Sequence, residues 1–204
     1  NNCLRQGARP RLTMSLSPTL LSLLSDPVLQ ERFEPWIEQR CQLLERCAPD
    51  EQDAAAELHA HFQRQLDRFR RHQGQVLRGF KELLQLGVLD LITCSATHGY
   101  LPLLRDPPQA VQGQLRTAVR EHERLLGVRP RGIWLPECAF YEGLDAELAK
   151  AGLRYAVLDA HGLLHGLPRP RYGVYAPICS SASVAFFGRD SEATLPVWSA
   201  SDGY

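Results

Sequence analysis

The chain has no surplus charge: Lys and Arg number 23, Asp and Glu number 23, and the formal net charge is zero. Without a global field, nothing steers it to nucleic acid or to an anionic membrane surface. Arg64, Arg68, Arg70 and Arg71 cluster locally, but acidic and apolar residues interleave with them, as on a solvated helix face. No apolar run approaches the ~18 residues that a membrane-spanning helix needs. The six cysteines (Cys3, Cys41, Cys47, Cys94, Cys138 and Cys179) contain no C-x-x-C pair and no dense framework. That spacing excludes a disulfide scaffold and the common zinc-binding patterns, and it points to free thiols in a reducing, cytoplasmic compartment. Internal repeats and low-complexity linkers are also lacking. The start, Asn1-Asn2-Cys3, has neither an initiator methionine nor a leader layout, so a chain cut from a longer one is expected.

What is present is an alternation of short apolar runs with amphipathic stretches. Residues 11–16 read as a buried strand and residues 19–24 as a short helix. Residues 28–46 carry an irregular apolar stripe with Pro35 early in it. Asp50, with Asp53 three residues on, is placed to cap a helix over 51–69. His59 and His61 on that helix point apart and face solvent. A helix over 75–86 ends at Gly87, and residues 88–93 form the next strand. Pro107-Pro108 opens a helix to 126 that Gly127 closes. Strands follow at 132–135, 155–158 and 183–187, with a helix at 144–151 between the first two. Trp36 and Trp198 read as core by default. The pattern predicts one α/β domain over residues 1–204, an incomplete barrel with a mostly parallel sheet.

In such folds catalytic groups sit at the C-terminal ends of the strands. The predicted strand ends gather His98, Glu137, Asp159 with His161, and Arg189 with Asp190. Glu137 follows the run Ile133-Trp-Leu135 and Pro136, which cannot donate to a ladder and ends the strand. A carboxylate at a buried strand end is costly unless hydrogen-bonded or functional. As residues alone, a structural carboxylate and a catalytic one are equally open readings. A ring of this kind suits glycosyl transfer, with one carboxylate attacking and an acid protonating the departing oxygen. Trp134 and Tyr141 offer faces on which sugar rings stack, and the Arg189 guanidinium can hold hydroxyls or orient a carboxylate. His161 and His165 lie four apart, but Gly162 and Gly166 argue against a helix, so no metal site is expected. Cys138 with His98 as base is the weaker, thiol-nucleophile reading.

The run Trp134-Leu-Pro-Glu-Cys-Ala-Phe-Tyr141 resembles the nucleophile motif of glycoside hydrolase family 57, in particular its α-1,4-glucan branching group. Leu91-Ile-Thr-Cys-Ser-Ala-Thr-His-Gly-Tyr-Leu-Pro-Leu-Leu104 resembles that group's second block. Phe186-Phe-Gly-Arg-Asp190 and Val197-Trp-Ser-Ala-Ser-Asp-Gly-Tyr204 resemble later ones, in the family's order. The resemblance implies a partial (β/α)7 TIM-like barrel acting on an α-1,4-glucan such as amylose or glycogen, with no cofactor. It implies Glu137 as nucleophile, and His98, Trp134 and Arg189 as substrate contacts. The family's general acid is an aspartate on a block beyond the position of Tyr204, and its opening histidine-bearing strand precedes Asn1. Asp159, Asp190 and Asp202 are local acids, but none stands at the matching position. Hydrolysis by an amylase, transfer by a 4-α-glucanotransferase, and a glucan-binding fragment without turnover remain alternatives. A metal-dependent deacetylase lacks an assembled His/Asp ligand set.

Overall fold

The computed structural model describes Gly7, Ala8 and residues 10–201, so Cys3 and Asp202 lie outside the described residues. The chain divides into two compact units. One takes Leu20–Leu89; the other takes Arg11–Thr19 and the chain from Asp90 onward.

Strand β1 (Leu12–Ser15) is followed by helix α1 (Pro18–Ser25). Helix α2 (Pro27–Leu44) opens where the Asp26 carboxylate accepts from the backbone N–H of Val28 and Leu29 at 2.8 and 3.2 Å. Pro27 occupies the first turn, where its missing N–H costs nothing. A three-residue turn at Pro49–Glu51 leads into α3 (Gln52–Arg71), and α4 (Val76–Gln85) follows. Asp50 does not cap α3 as expected. Pro49 starts the turn one residue earlier, so Asp50 lies inside it and Glu51 takes the cap position without a side-chain bond. Ile37 and Cys41 of α2 bury against Leu66 of α3, with Phe33 and Phe62 beside them. Phe33, Ile37 and Cys41 follow one another at helical i,i+4 steps. Trp36 falls beside that stripe and is 45% exposed rather than core, with the Arg40 guanidinium over its ring at 5.2 Å.

The second unit is built on β2 (Leu89–Cys94), α5 (Pro108–Leu126), β3 (Gly132–Trp134), α6 (Leu144–Lys150) and β4 (Tyr155–Asp159). Then come α7 (Ala160–Leu164), β5 (Ile178–Cys179), β6 (Ala185–Arg189) and α8 (Ser191–Trp198). The sheet runs β1-β2-β3-β4-β6-β5, with β2, β3, β4 and β6 parallel and β5 antiparallel at the edge. The chain is therefore α/β with a mostly parallel sheet, and that sheet is open rather than closed into a barrel.

Side chains alternate between the two faces of a strand, so register assigns each one to a face. Ile133, Ala156, Leu158 and Phe186 join Val111, Leu115 and Val119 of α5 and Leu144 and Leu148 of α6 in one buried cluster. That is the helix-covered face. The opposite face carries Cys94, Trp134, Val157 and Phe187, aligned across neighbouring strands by register, and two residues on, Asp159 opposite Arg189. At the other end of this face Tyr155 donates its hydroxyl to Asp90 at 2.7 Å, and Arg131 reaches the same carboxylate at 3.4 Å. Position 132 must be glycine, because a Cβ there would enter the Tyr155 ring.

Three further expectations are corrected here. Residues 160–164 are helical despite Gly162, because the Asp159 carboxylate accepts the Ala160 N–H at 2.7 Å and caps the turn. The last long strand starts at Ala185, not 183, since Ser183 has φ 60 and closes a turn onto Ser180. Trp198, read as core, is 67% exposed on α8, a helix that the sequence reading did not foresee.

Candidate active site

The C-terminal ends of β2, β3, β4 and β6 lie side by side and carry the expected residues. The loop after β2 is fixed from several directions. Ser95 is fully buried and donates its hydroxyl to the Gly99 carbonyl at 3.2 Å. Gln114 of α5 accepts from the Thr97 N–H at 3.0 Å and donates to the Thr97 hydroxyl at 2.9 Å. Gly99 leaves room for Leu104, whose Cδ1 would lie 2.8 Å from a Cβ there. The loop holds His98 in the left-handed region, φ 56.

After β3, Pro136–Cys138 form a single tight turn in which Glu137 (φ 55, ψ 23) and Cys138 (φ 53) are both left-handed. Each such residue costs about 1–2 kcal/mol when it is not glycine. The flanks hold the turn in place: Leu135, Pro136 and Cys138 are buried, and the Cys138 N–H bonds the Leu135 carbonyl at 2.8 Å. The turn drives the Cys138 thiol inward and the Glu137 carboxylate outward. Glu137 is thus not the buried carboxylate that its strand-end position suggested, because its side chain is 74% exposed.

Glu137 Oε1 lies 3.4 Å from His98 Nε2, and His98 Nδ1 lies 3.2 Å from the sulfur of Cys94. On the neighbouring strands, Arg189 Nη2 donates to Asp159 Oδ2 at 3.4 Å while Asp159 Oδ1 takes the Ala160 N–H. His161 Nδ1 stands 3.7 Å from that same Oδ1. Asp159 therefore commits both oxygens to structural partners. Asp190 caps α8, accepting from the Glu192 N–H at 3.0 Å, and so also has a structural role. Trp134 is half-buried at the end of β3, on the face away from the helices.

Burial raises the pKa of the Cys138 thiol, Asp159 and Glu137 push the same way, and Arg189 opposes them. A thiol raised by burial is poorly nucleophilic, and His98 bonds Cys94 instead, so the thiol-nucleophile reading has no support in this geometry. Burial likewise lifts the Cys94 thiol, to about 11. The described cysteines are all free. Among the described residues, no three His, Cys, Asp or Glu side chains converge as a metal site would require. No helix among them is long and apolar enough to cross a membrane.

Two features escaped the sequence reading. Cys94 and His98 are four residues apart in one loop motif, which was the available signal for their contact. His122 is fully buried with both ring nitrogens unpartnered. Its signal was its place on the α5 stripe Val111, Leu115, Ala118, His122, Leu126.

Comparison with known proteins gives a consistent picture. The profile described as Glycosyl hydrolase family 57 matches residues 11–195. The 1,4-alpha-glucan branching enzyme of Thermococcus kodakarensis is 28% identical over 97% of this chain and 34% of its own length. The alpha-amylase AmyC of Thermotoga maritima superposes with a TM-score of 0.88 at 39% identity, over 96% of this chain and 39% of that one. A GH57-type branching enzyme of Pyrococcus horikoshii gives 0.87 at 30% identity, over 97% of this chain and 40% of that one. The chain thus spans between about a third and two-fifths of the length of these relatives.

Proposed function

Because the chain belongs to glycoside hydrolase family 57, we propose that Glu137 is the nucleophile of a retaining α-glucan site and that the protein is an α-1,4-glucan branching enzyme. The observation that carries this reading is the turn at 136–138. Two consecutive left-handed residues aim an exposed carboxylate off a strand end, within 3.4 Å of the His98 ring. Strain of that kind is retained where a side chain must point in one direction.

In the proposed reaction one oxygen of Glu137 attacks the anomeric carbon of an α-1,4-linked glucose. A carbon–oxygen bond to the enzyme forms, the link to the next sugar breaks, and its oxygen takes a proton from a general acid. A 6-hydroxyl of another glucan chain then displaces Glu137, returning its proton to the conjugate base and leaving an α-1,6 branch. Arg189, held by Asp159, binds sugar hydroxyls, and Trp134 offers a stacking face beside them. The acid in this reading is the aspartate that the family resemblance puts on a block beyond Tyr204, and Asp159 and Asp190 already have partners in the fold. It follows that the 204-residue chain alone makes no product. The free thiols at Cys41, Cys47, Cys94, Cys138 and Cys179 suit a reducing, cytoplasmic setting.

The test is Glu137→Gln in the full-length protein, assayed on amylose for reducing ends and for α-1,6 links. A fall in kcat of several orders of magnitude with glucan binding intact is expected. Retention of more than about a tenth of the activity would sink the assignment. The likeness to the Thermotoga maritima alpha-amylase favours a second reading, hydrolysis, in which reducing ends accumulate without α-1,6 links. Product from the 204-residue chain alone, abolished by Glu137→Gln, would place the acid within it.

A further inference from the structure

We propose that Cys94 is a positioning residue whose thiol hydrogen holds neutral His98 in the tautomer protonated at Nε2, so that this N–H faces Oε1 of Glu137. The consequence for catalysis rests on the reading of Glu137 as nucleophile; the tautomer does not.

The geometry is a short relay. Cys94 ends β2 on the face shared with Trp134 and is 2% exposed. Its sulfur is 3.2 Å from Nδ1 of His98, and the far ring nitrogen is 3.4 Å from the carboxylate. A neutral imidazole carries one hydrogen, and the partner at each nitrogen decides which one holds it. At the Cys94 end the sulfur keeps its hydrogen, since burial lifts the thiol to about 11. Ser95, through its backbone and its hydroxyl, acts to lower the same pKa, and burial outweighs it. At the other end a carboxylate oxygen only accepts. The opposite tautomer would set the Nε2 lone pair against that oxygen. Both ends therefore favour hydrogen on Nε2. The left-handed backbone at His98, whose N–H also bonds the Ser95 carbonyl at 3.1 Å, restricts the ring from turning away. With Oε1 engaged by His98, Oε2 is the oxygen left to attack.

No step in the proposed reaction uses the thiol as a nucleophile or as an acid. Its role is to supply one donor from a buried position. Serine at 94 preserves that donor and alanine removes it, and the pair separates positioning from packing.

The experiment reads the ring directly. Histidine labelled with nitrogen-15 is incorporated, and the His98 signals are identified by their loss in His98→Asn. Long-range proton–nitrogen spectra above the titration range of the ring then report which nitrogen is protonated. The expected result is an Nε2–H ring in the parent and in Cys94→Ser, with Nδ1 shifted as a hydrogen-bond acceptor. In Cys94→Ala that shift is lost and an Nδ1–H population appears. In the full-length protein, Cys94→Ala should lower kcat about tenfold with KM little changed, and Cys94→Ser should restore most of it. A parent ring protonated at Nδ1, or a Cys94→Ala ring identical to the parent, overturns the proposal. Because the parent spectrum decides by itself, a Cys94→Ala chain that fails to fold leaves the proposal open to refutation. Should the spectra come out as expected while Glu137→Gln stays active, the nucleophile assignment fails and the tautomer stands.

Discussion

Replacing His122 with leucine isolates the cost of a buried, unpartnered imidazole. His122 is fully buried on α5, neither ring nitrogen has a partner among the described residues, burial lowers its pKa and Asp90 acts to raise it. Burial outweighs that influence and holds the ring at about 4, against an ordinary 6.5. The folded chain therefore resists a proton that the unfolded chain accepts. Stability from this group is complete above about pH 6.5, is lost as pH falls, and levels out below about pH 4. The difference of roughly two and a half pH units, at about 1.4 kcal/mol each, amounts to ~3 kcal/mol. Leucine at this position cannot titrate and leaves no unpaired nitrogen. Urea unfolding of both chains at intervals from pH 7 to pH 4 should show a gap in stability that widens by ~3 kcal/mol on acidification, the variant being the more stable. Carboxylates other than Asp90 titrate equally in both chains and cancel in the comparison. Parallel profiles, with a gap independent of pH, would mean that His122 has a partner or a proton in the fold and would refute the argument.

Arg189→Ala should weaken glucan binding with little change in thermal midpoint, because the residue sits half-exposed at a strand end. A large midpoint loss with unchanged kinetics would make it structural. Gly132→Ala drives a methyl into the Tyr155 ring and should cost about 1–3 kcal/mol by chemical unfolding. Pairing it with Tyr155→Ala, which vacates that space, should remove the clash, and strict additivity of the two changes would contradict it.

The parallel strands were legible because they are short apolar runs bounded by glycine and proline, and each was placed within two residues of where it lies. Their order along the chain also predicted that His98, Glu137, Asp159 and Arg189 would share one edge, and the sheet brings them to it. The elements that were missed are held by a distant strand in one case and by local side-chain caps in the others. Strand β5 is two residues long and exists only by pairing with β6. Helix α7 contains a glycine and is started by a carboxylate that the sequence reading had assigned to a strand end. Trp36 was misplaced because burial was inferred from residue type, whereas helical phase decided it. The exposure of Glu137 could not be read either. It depends on a backbone conformation that the sequence Pro-Glu-Cys does not advertise, since neither Glu137 nor Cys138 is a residue that favours positive φ.

The turn at 136–138 also sets a hazard for anyone improving the protein by selection. Two adjacent side chains occupy backbone regions that glycine or asparagine would adopt more cheaply. A library screened only for solubility, expression or heat resistance therefore has a downhill route that passes through Glu137→Gly or Glu137→Asn. Both substitutions remove the carboxylate while easing the fold. Sequence design on this backbone meets the same incentive, because rewarding low local energy erases the carboxylate proposed as nucleophile. Position 137 has to be fixed by hand, or the screen must score turnover in every round.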